Sequence, residues 1–167
     1  LPSPDAQAAS AALCRLIAAE IDAAGGWLSF ARFMERALYT PGLGYYAGGA
    51  HKFGAAGDFV TAPELSPLFA QTLAAQAAQI MALSAPHIVE VGAGSGQLAA
   101  DLLLELEARA ALPESYAILE VSGELRERQF DTLAAKVPHL ASRVRWLDGL
   151  PERFSGALVA NEVLDVM

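Results

Sequence analysis

Residues 88–102 read IVEVGAGSGQLAADL: an apolar run, then Gly92, Gly94 and Gly96 at every second position, then a helix-forming stretch. Glycines in a strand-to-helix turn admit positive φ and place no Cβ between backbone and ligand, so a bound molecule can lie directly against the chain. The helix that follows points its free N–H groups at that molecule. Dinucleotide-binding turns use the spacing G-x-G-x-x-G/A. Here the spacing is G-x-G-x-G, and Gln97 stands where the last dinucleotide glycine would be, a side chain expected to hinder close packing of the helix start on the strand. Acids accompany the turn. Glu90 lies two residues before the first glycine, Glu120 ends the next apolar run, Asp148 follows the third, and Asn161 with Glu162 follows the fourth. Ligands of open α/β sheets bind outside the carboxyl ends of the strands. Successive strands thus each deliver an acid to one edge.

Those groups need strands to present them. From Pro86 onward, IVEV (88–91), YAILEV (116–121), RVRWL (143–147) and GALVA (156–160) read as strands, and QLAADLLLELEARA and ELRERQFDTLAAKV as helices between them. The alternation predicts an α/β fold with a parallel sheet covered on both faces. Right-handed connections put the glycine turn at the carboxyl edge of its first strand. Upstream, Ser3-Pro4-Asp5 marks a helix start and Gly25-Gly26 its end, which predicts a helix over about 4–24. Ser29 can cap a second helix that ends at Thr40-Pro41, with Phe30, Phe33, Met34, Ala37 and Leu38 at helical spacing, read as core packing. Residues 40–67, rich in glycine and proline, read as a long ordered loop with short extended pieces. A further helix is expected from about Glu64 or Ser66 to Leu83, carrying Leu68, Phe69, Leu73, Ala77 and Ile80 on one broad face.

Composition narrows the function classes. The chain has 167 residues, 54% of them hydrophobic, and a formal net charge of −8, with no Lys/Arg stripe to meet phosphates. That argues for a globular domain and against nucleic acid as a partner. Gln71, Gln76, Gln79 and Ser84 interrupt the longest apolar candidate, so no membrane insertion is expected. Cys14 is the only cysteine, which fits a reducing compartment; a cytoplasmic location is expected. His51, His87 and His139 are scattered without metal-ligand spacing, and Ser66, Ser95 and Ser122 lack a G-x-S-x-G elbow, so neither a metal site nor a hydrolase is expected.

The pattern E-x-G-x-G-x-G, with acids at the ends of the next and third strands, resembles motif I and its followers in class I S-adenosylmethionine methyltransferases. The resemblance implies that the backbone of Gly92, Ala93, Gly94 and Gly96 wraps the methionine part of the cofactor and that Glu90 helps to orient its ammonium group. Glu120 would accept hydrogen bonds from the ribose hydroxyls, and Leu147 and Asp148 would lie against the adenine ring and its amino group. The segments ALYTPGLGYY, GDFVTAPELSPLF, ILEVSGELRERQ and ANEVLD, spread from about Phe30 to Met167, are similar to the MidA-like family, relatives of the mitochondrial complex I assembly-factor methyltransferase. After SPLF, Ala70-Gln71 replaces the Gly-Glu of many relatives, so no role is placed there.

What this resemblance implies is specific. The fold would be a Rossmann-like class I methyltransferase sheet, its first four strands present and ordered 3-2-1-4, preceded by an N-terminal helical region and a Gly-rich loop. Residues 1–85 would form those helices and the loop, and 86–167 the cofactor-binding half, with further strands expected after VANEVLDVM. The cofactor would be S-adenosyl-L-methionine, and the acceptor an arginine side chain of a protein, a respiratory-complex subunit or another. A guanidinium is a poor nucleophile, and carboxylates can orient it and draw charge from the reacting nitrogen. Asn161, Glu162 and Asp165 are the candidates for that task; Asp58, Thr61 and Glu64, in the glycine-rich loop, are candidates for the pocket lining. GALVA would be left as a sheet edge, which invites pairing with a second copy. Two other readings stand beside this one: a noncatalytic assembly or binding protein that keeps the cofactor fold, and an NAD(P)-dependent oxidoreductase.

Overall fold

The computed structural model describes residues 3–48 and 61–163. They fall into two compact units, Leu1–Ala50 and His51–Met167. In the first unit, helix α1 (Pro4–Ala23) starts where Ser3 Oγ accepts the Ala6 N–H at 3.2 Å. It ends at Gly25, whose φ of 78° lets the Gly26 N–H reach the Ile21 carbonyl at 2.8 Å. Helix α2 (Phe30–Tyr39) is capped in the same way by Ser29. The two helices are tied by Glu20, whose carboxylate accepts Arg32 Nε and Arg36 Nε at 2.6 Å each. Those bonds, Arg36 first and then Arg32, hold the Glu20 carboxyl below its ordinary value. The α2 aromatics correct their reading as core: Phe30 is 75% and Phe33 41% exposed, and no α2 residue is fully buried. A unit of this size has too little partner surface to close around a stripe of large rings.

The second unit is built on a four-stranded parallel sheet: β1 (His87–Val91), β2 (Ser115–Leu119), β3 (Val144–Leu147) and β4 (Ala157–Ala160), in the order β3-β2-β1-β4. That is the expected 3-2-1-4 arrangement. Helix α5 (Gln97–Ala108) joins β1 to β2, and α6 (Gly123–Lys136) joins β2 to β3. Both steps run the same way across the sheet, so right-handed crossovers put both helices on one face. The chain then returns past β1 to form β4. This reversal places a topological switch point between β1 and β4, where open sheets leave a crevice.

Side-chain alternation builds the core on the helical face. Ile88 lies beside Tyr116 and Ala157, and Tyr116 beside Val144. They form one cluster with Leu98, Leu102 and Leu106 of α5 and Leu133 of α6. Val89, Val91, Ala117, Leu119 and Leu158 alternate onto the opposite face, where Leu158 is 58% exposed. On that opposite face Val89 and Ala117 are nonetheless buried, at 3% and 1% exposure. Before the sheet, the loop reading of 61–67 gives way to one helical turn, α3 (Ala62–Leu65), which Ser66 and Pro67 separate from α4 (Leu68–Leu83). The buried face of α4 matches expectation in part: Ala77 is inside and Phe69 and Leu73 pack against the core, but Leu68 and Ile80 are 67% and 46% exposed, and Ala70, Ala74 and Met81 are buried in their place. Small side chains allow the axes of α4 and α5 to approach closely, and leucines at those positions would hold them apart.

Candidate cofactor-binding site

The glycine turn leaves β1 at the switch point. Gly92, Gly94 and Gly96 all adopt positive φ, 65°, 55° and 83°, which β-branched and bulky residues rarely tolerate. The Gly92 N–H donates to the Leu119 carbonyl at 3.0 Å, which stitches the turn to the end of β2. A Cβ on Gly92 would lie 3.0 Å from Val163 Cγ2, so the segment after β4 packs against the turn. Asn161 and Glu162 belong to that segment; Glu162 is exposed and itself left-handed at φ 54°. Gly96 caps α5 without a side chain, and of the first-turn N–H groups that of Gln97 donates to Ser95 Oγ at 3.2 Å. Its own Cβ would lie 3.0 Å from the Gln129 Cα, which makes this glycine the point of close α5–α6 approach.

Gln97 does not hinder that approach. Its side chain turns outward, donating to Asp101 at 2.6 Å and accepting from Lys136, and the helix start packs freely. Ala93 is buried within the turn. Ser95 Oγ donates to Glu64 on α3, which brings one of the expected pocket residues to the turn. Thr61 is half-buried at the start of α3, where its carbonyl accepts the Glu64 N–H at 2.9 Å. Asp58 and Asp165 lie outside the described residues.

Two acids under the turn are buried for different reasons. Glu90, 2% exposed, points into the helical face and accepts the Tyr116 hydroxyl at 2.6 Å. Burial pushes its carboxyl up to about 7, with the Tyr116 bond a lesser opposing influence. Glu120 follows β2 and is 6% exposed; its Oε1 accepts the Ser122 N–H at 2.9 Å and its Oε2 the Gln129 Nε2 at 3.1 Å. Desolvation raises this carboxyl as well, against the pull of the Ser122, Gln129 and Val121 hydrogen bonds and the Arg126 charge. A carboxylate has about four acceptor sites, more than these donors use, so Glu120 retains capacity for hydroxyl groups. The donor and acceptor chemistry at this edge fits a polyhydroxylated ligand above the turn.

Leu147 and Asp148 end β3 on the same edge. Arg126 of α6 gathers them: its Nε donates to the Glu120 carbonyl at 2.6 Å, one terminal nitrogen to the Leu147 carbonyl at 2.7 Å, and the other pairs with Asp148 at 2.9 Å. The Asp148 side chain is otherwise 94% exposed. Arg126 and Gln129 were not among the expected site residues. One signal did point to Gln129, since Leu125, Gln129 and Leu133 repeat every fourth residue and all three are buried, a polar group in the middle of a core stripe. Among the described residues, no cluster of three or more His, Cys, Asp or Glu could hold a metal ion, and no helix is long and apolar enough to cross a membrane.

Comparison with known proteins bears on this geometry. The chain is 37% identical over 118 residues to the protein arginine methyltransferase NDUFAF7, mitochondrial, of Danio rerio, covering 66% of this chain and 28% of that protein. The human protein of the same name is 34% identical over 122 residues, 68% of this chain and 27% of its own length. A candidate methyl transferase from Burkholderia thailandensis, crystallised with S-adenosyl-homocysteine, superposes with a TM-score of 0.88 at 58% identity, over 98% of this chain and 44% of that one. The chain thus spans less than half the length of each. The mitochondrial names of the curated relatives overturn the expected cytoplasmic location. Residues 68–167, which carry the glycine turn and every strand-end acid, match a family model, and the chain belongs to that family, the S-adenosyl-L-methionine-dependent methyltransferases.

Proposed function

We propose that this chain binds S-adenosyl-L-methionine across the glycine turn and that its whole protein transfers the methyl group to arginine side chains of a protein substrate. The observation that carries the reading is the left-handed turn Gly92–Gly96 beside the buried carboxylate of Glu120, at the carboxyl ends of adjacent strands. In it, Gly92, Ala93, Gly94 and Gly96 present backbone to the methionine part, Glu90 lies beneath as the acid nearest its ammonium, and Glu120 accepts from the ribose. Leu147 and Asp148 flank the adenine, and Thr61 and Glu64, with Asp58, close the pocket from the segment before α4. The bound cofactor supplies an electrophilic sulfonium methyl; the chain's part is to orient the partners at near-attack distance. Asn161, Glu162 and Asp165 hold the guanidinium. The domain plan that goes with this is an N-terminal segment over 1–85 and a cofactor-binding half over 86–167.

Calorimetric titration tests the binding step. S-adenosylmethionine and S-adenosylhomocysteine should bind, and NAD should not; comparable NAD binding would favour the oxidoreductase. Glu120→Ala should weaken S-adenosylhomocysteine by about tenfold to a hundredfold, the worth of charge-assisted bonds to hydroxyls of about 1.5–3 kcal/mol. Unchanged affinity in the folded variant would remove Glu120 from the site. Production of S-adenosylhomocysteine that depends on an arginine-containing protein separates a transferase from a binding protein that keeps the cofactor fold.

A further inference from the structure

Gln129 sits at 0% exposure where the glycine turn, the end of β2 and strand β3 meet. Its Nε2 donates to the Gly94 carbonyl and to Glu120 Oε2, each at 3.1 Å, and its Oε1 accepts the Trp146 indole N–H at 2.8 Å. The amide orientation is dictated by chemistry. Two acceptors face one end and a donor-only indole faces the other, so only one of the two flips satisfies all three partners. Its backbone is equally constrained, because Gly96 lies against its Cα with no room for a Cβ.

We propose that Gln129 is a positioning residue for the cofactor: it sets the direction of the Glu120 carboxylate and the height of the glycine turn together, as one rigid unit. This rests on the cofactor reading above. The backbone N–H groups of Ser122 and Val121 hold the Glu120 carboxylate from its own chain segment; the bond from Gln129 to Oε2 is the one that ties it to another element, and so restrains its side-chain torsions relative to the turn. The same amide holds the carbonyl of the middle glycine, so one side chain adds, to the backbone bond between Gly92 and Leu119, a direct link between the methionine-facing turn and the ribose-facing carboxylate itself. The indole N–H of Trp146 anchors the amide from behind, which is why a shorter Asn would not serve.

The test compares ligands with and without ribose hydroxyls on the full chain. S-adenosylhomocysteine is titrated directly, and adenosine and 2′,3′-dideoxyadenosine are ranked by competition against it. The wild-type chain should favour adenosine. Gln129→Met keeps the volume and removes both donors, and Gln129→Glu keeps the shape and replaces donors with acceptors. Both should bind S-adenosylhomocysteine tenfold to a hundredfold more weakly, and their preference for adenosine over the dideoxy compound should fall close to one. A purely structural role would lower thermal stability and leave that preference intact in whatever fraction folds, which would overturn the inference. If one variant does not fold, the preference measured in the other decides. A wild-type chain that binds S-adenosylhomocysteine without preferring adenosine overturns the inference alone; one that binds no S-adenosylhomocysteine overturns the cofactor reading along with it.

Discussion

Burial of Glu90 against Tyr116 raises its carboxyl to about 7, because a charge there would be stripped of water, while the phenol's donated bond offsets only part of that cost. An unfolded chain gives up the same proton near 4.5. Between those values the folded state holds more protons than the unfolded one, so stability falls as pH rises. The contribution is complete below about pH 4.5 and lost above about pH 7, a swing on the order of 3 kcal/mol. Glu120 acts with the same sign, since its carboxyl is also raised by desolvation. Urea unfolding of Glu90→Gln should therefore show a flatter stability profile from pH 5 to pH 8 than the wild type, the amide oxygen still accepting from Tyr116. Parallel profiles would mean that Glu90 is solvated in solution. At this scale the strand-end acids were legible because each stands beside an apolar run. Arg126 was not, since its partners are carbonyls and a carboxylate on other elements and a polar residue on a helix ordinarily reads as solvated; Gln129 showed only in its spacing with Leu125 and Leu133, which gives its place in the core stripe and not its partners.

Helix α5 shows how backbone geometry at an element's two ends decides what each residue is worth. It is capped by Gly96 and ends two residues before Ala110, both left-handed, at φ 83° and 53°. At the end, the Ala111 N–H donates to the Leu106 carbonyl and the Ala110 N–H to the Glu107 carbonyl, each at 2.9 Å, the pairing that terminates helices around a left-handed residue. The end of α1 uses Gly25 for the same job, and Ala110 carries the Cβ strain that Gly25 avoids. Ala110→Gly should raise stability by about 0.5–1 kcal/mol. Gly96→Ala should lower it by about 1–3 kcal/mol, because a Cβ there meets both positive φ and the Gln129 backbone. Thermal unfolding of the two single variants checks both signs; a neutral Gly96→Ala would mean that α5 and α6 can separate at no cost. The helices and strands themselves were readable from caps and periodicity. The buried face of α4 was readable only in part, at Phe69, Leu73 and Ala77; hydrophobicity also favours Leu68 and Ile80, while the geometry of close helix contact favours Ala70 and Ala74.

Among the described residues the sheet has two edge strands, β3 and β4, and β4 pairs only with β1. Unpaired N–H and carbonyl groups along such an edge are a template for another strand, and natural sheets blunt them with lysine, proline or a covering segment. β4 reads Ala-Leu-Val-Ala, with none of those devices, and Leu158 stands 58% exposed on the face away from the helices. Isolated from other partners, this chain should therefore self-associate through β4, and its apparent mass in sedimentation should rise with concentration. Leu158→Lys places a charge on the edge and on the open face together. It should shift the population toward monomer, while its effect on the unfolding midpoint stays small, since an exposed position away from the core is usually worth less than about 0.5 kcal/mol. Arg145 already places a cation on the opposite edge strand, β3, so Arg145→Lys, which adds no charge, should leave the association unchanged. A wild-type chain that stays monomeric at high concentration, or a Leu158→Lys variant that associates as strongly as the wild type, would place the sticky surface somewhere other than β4.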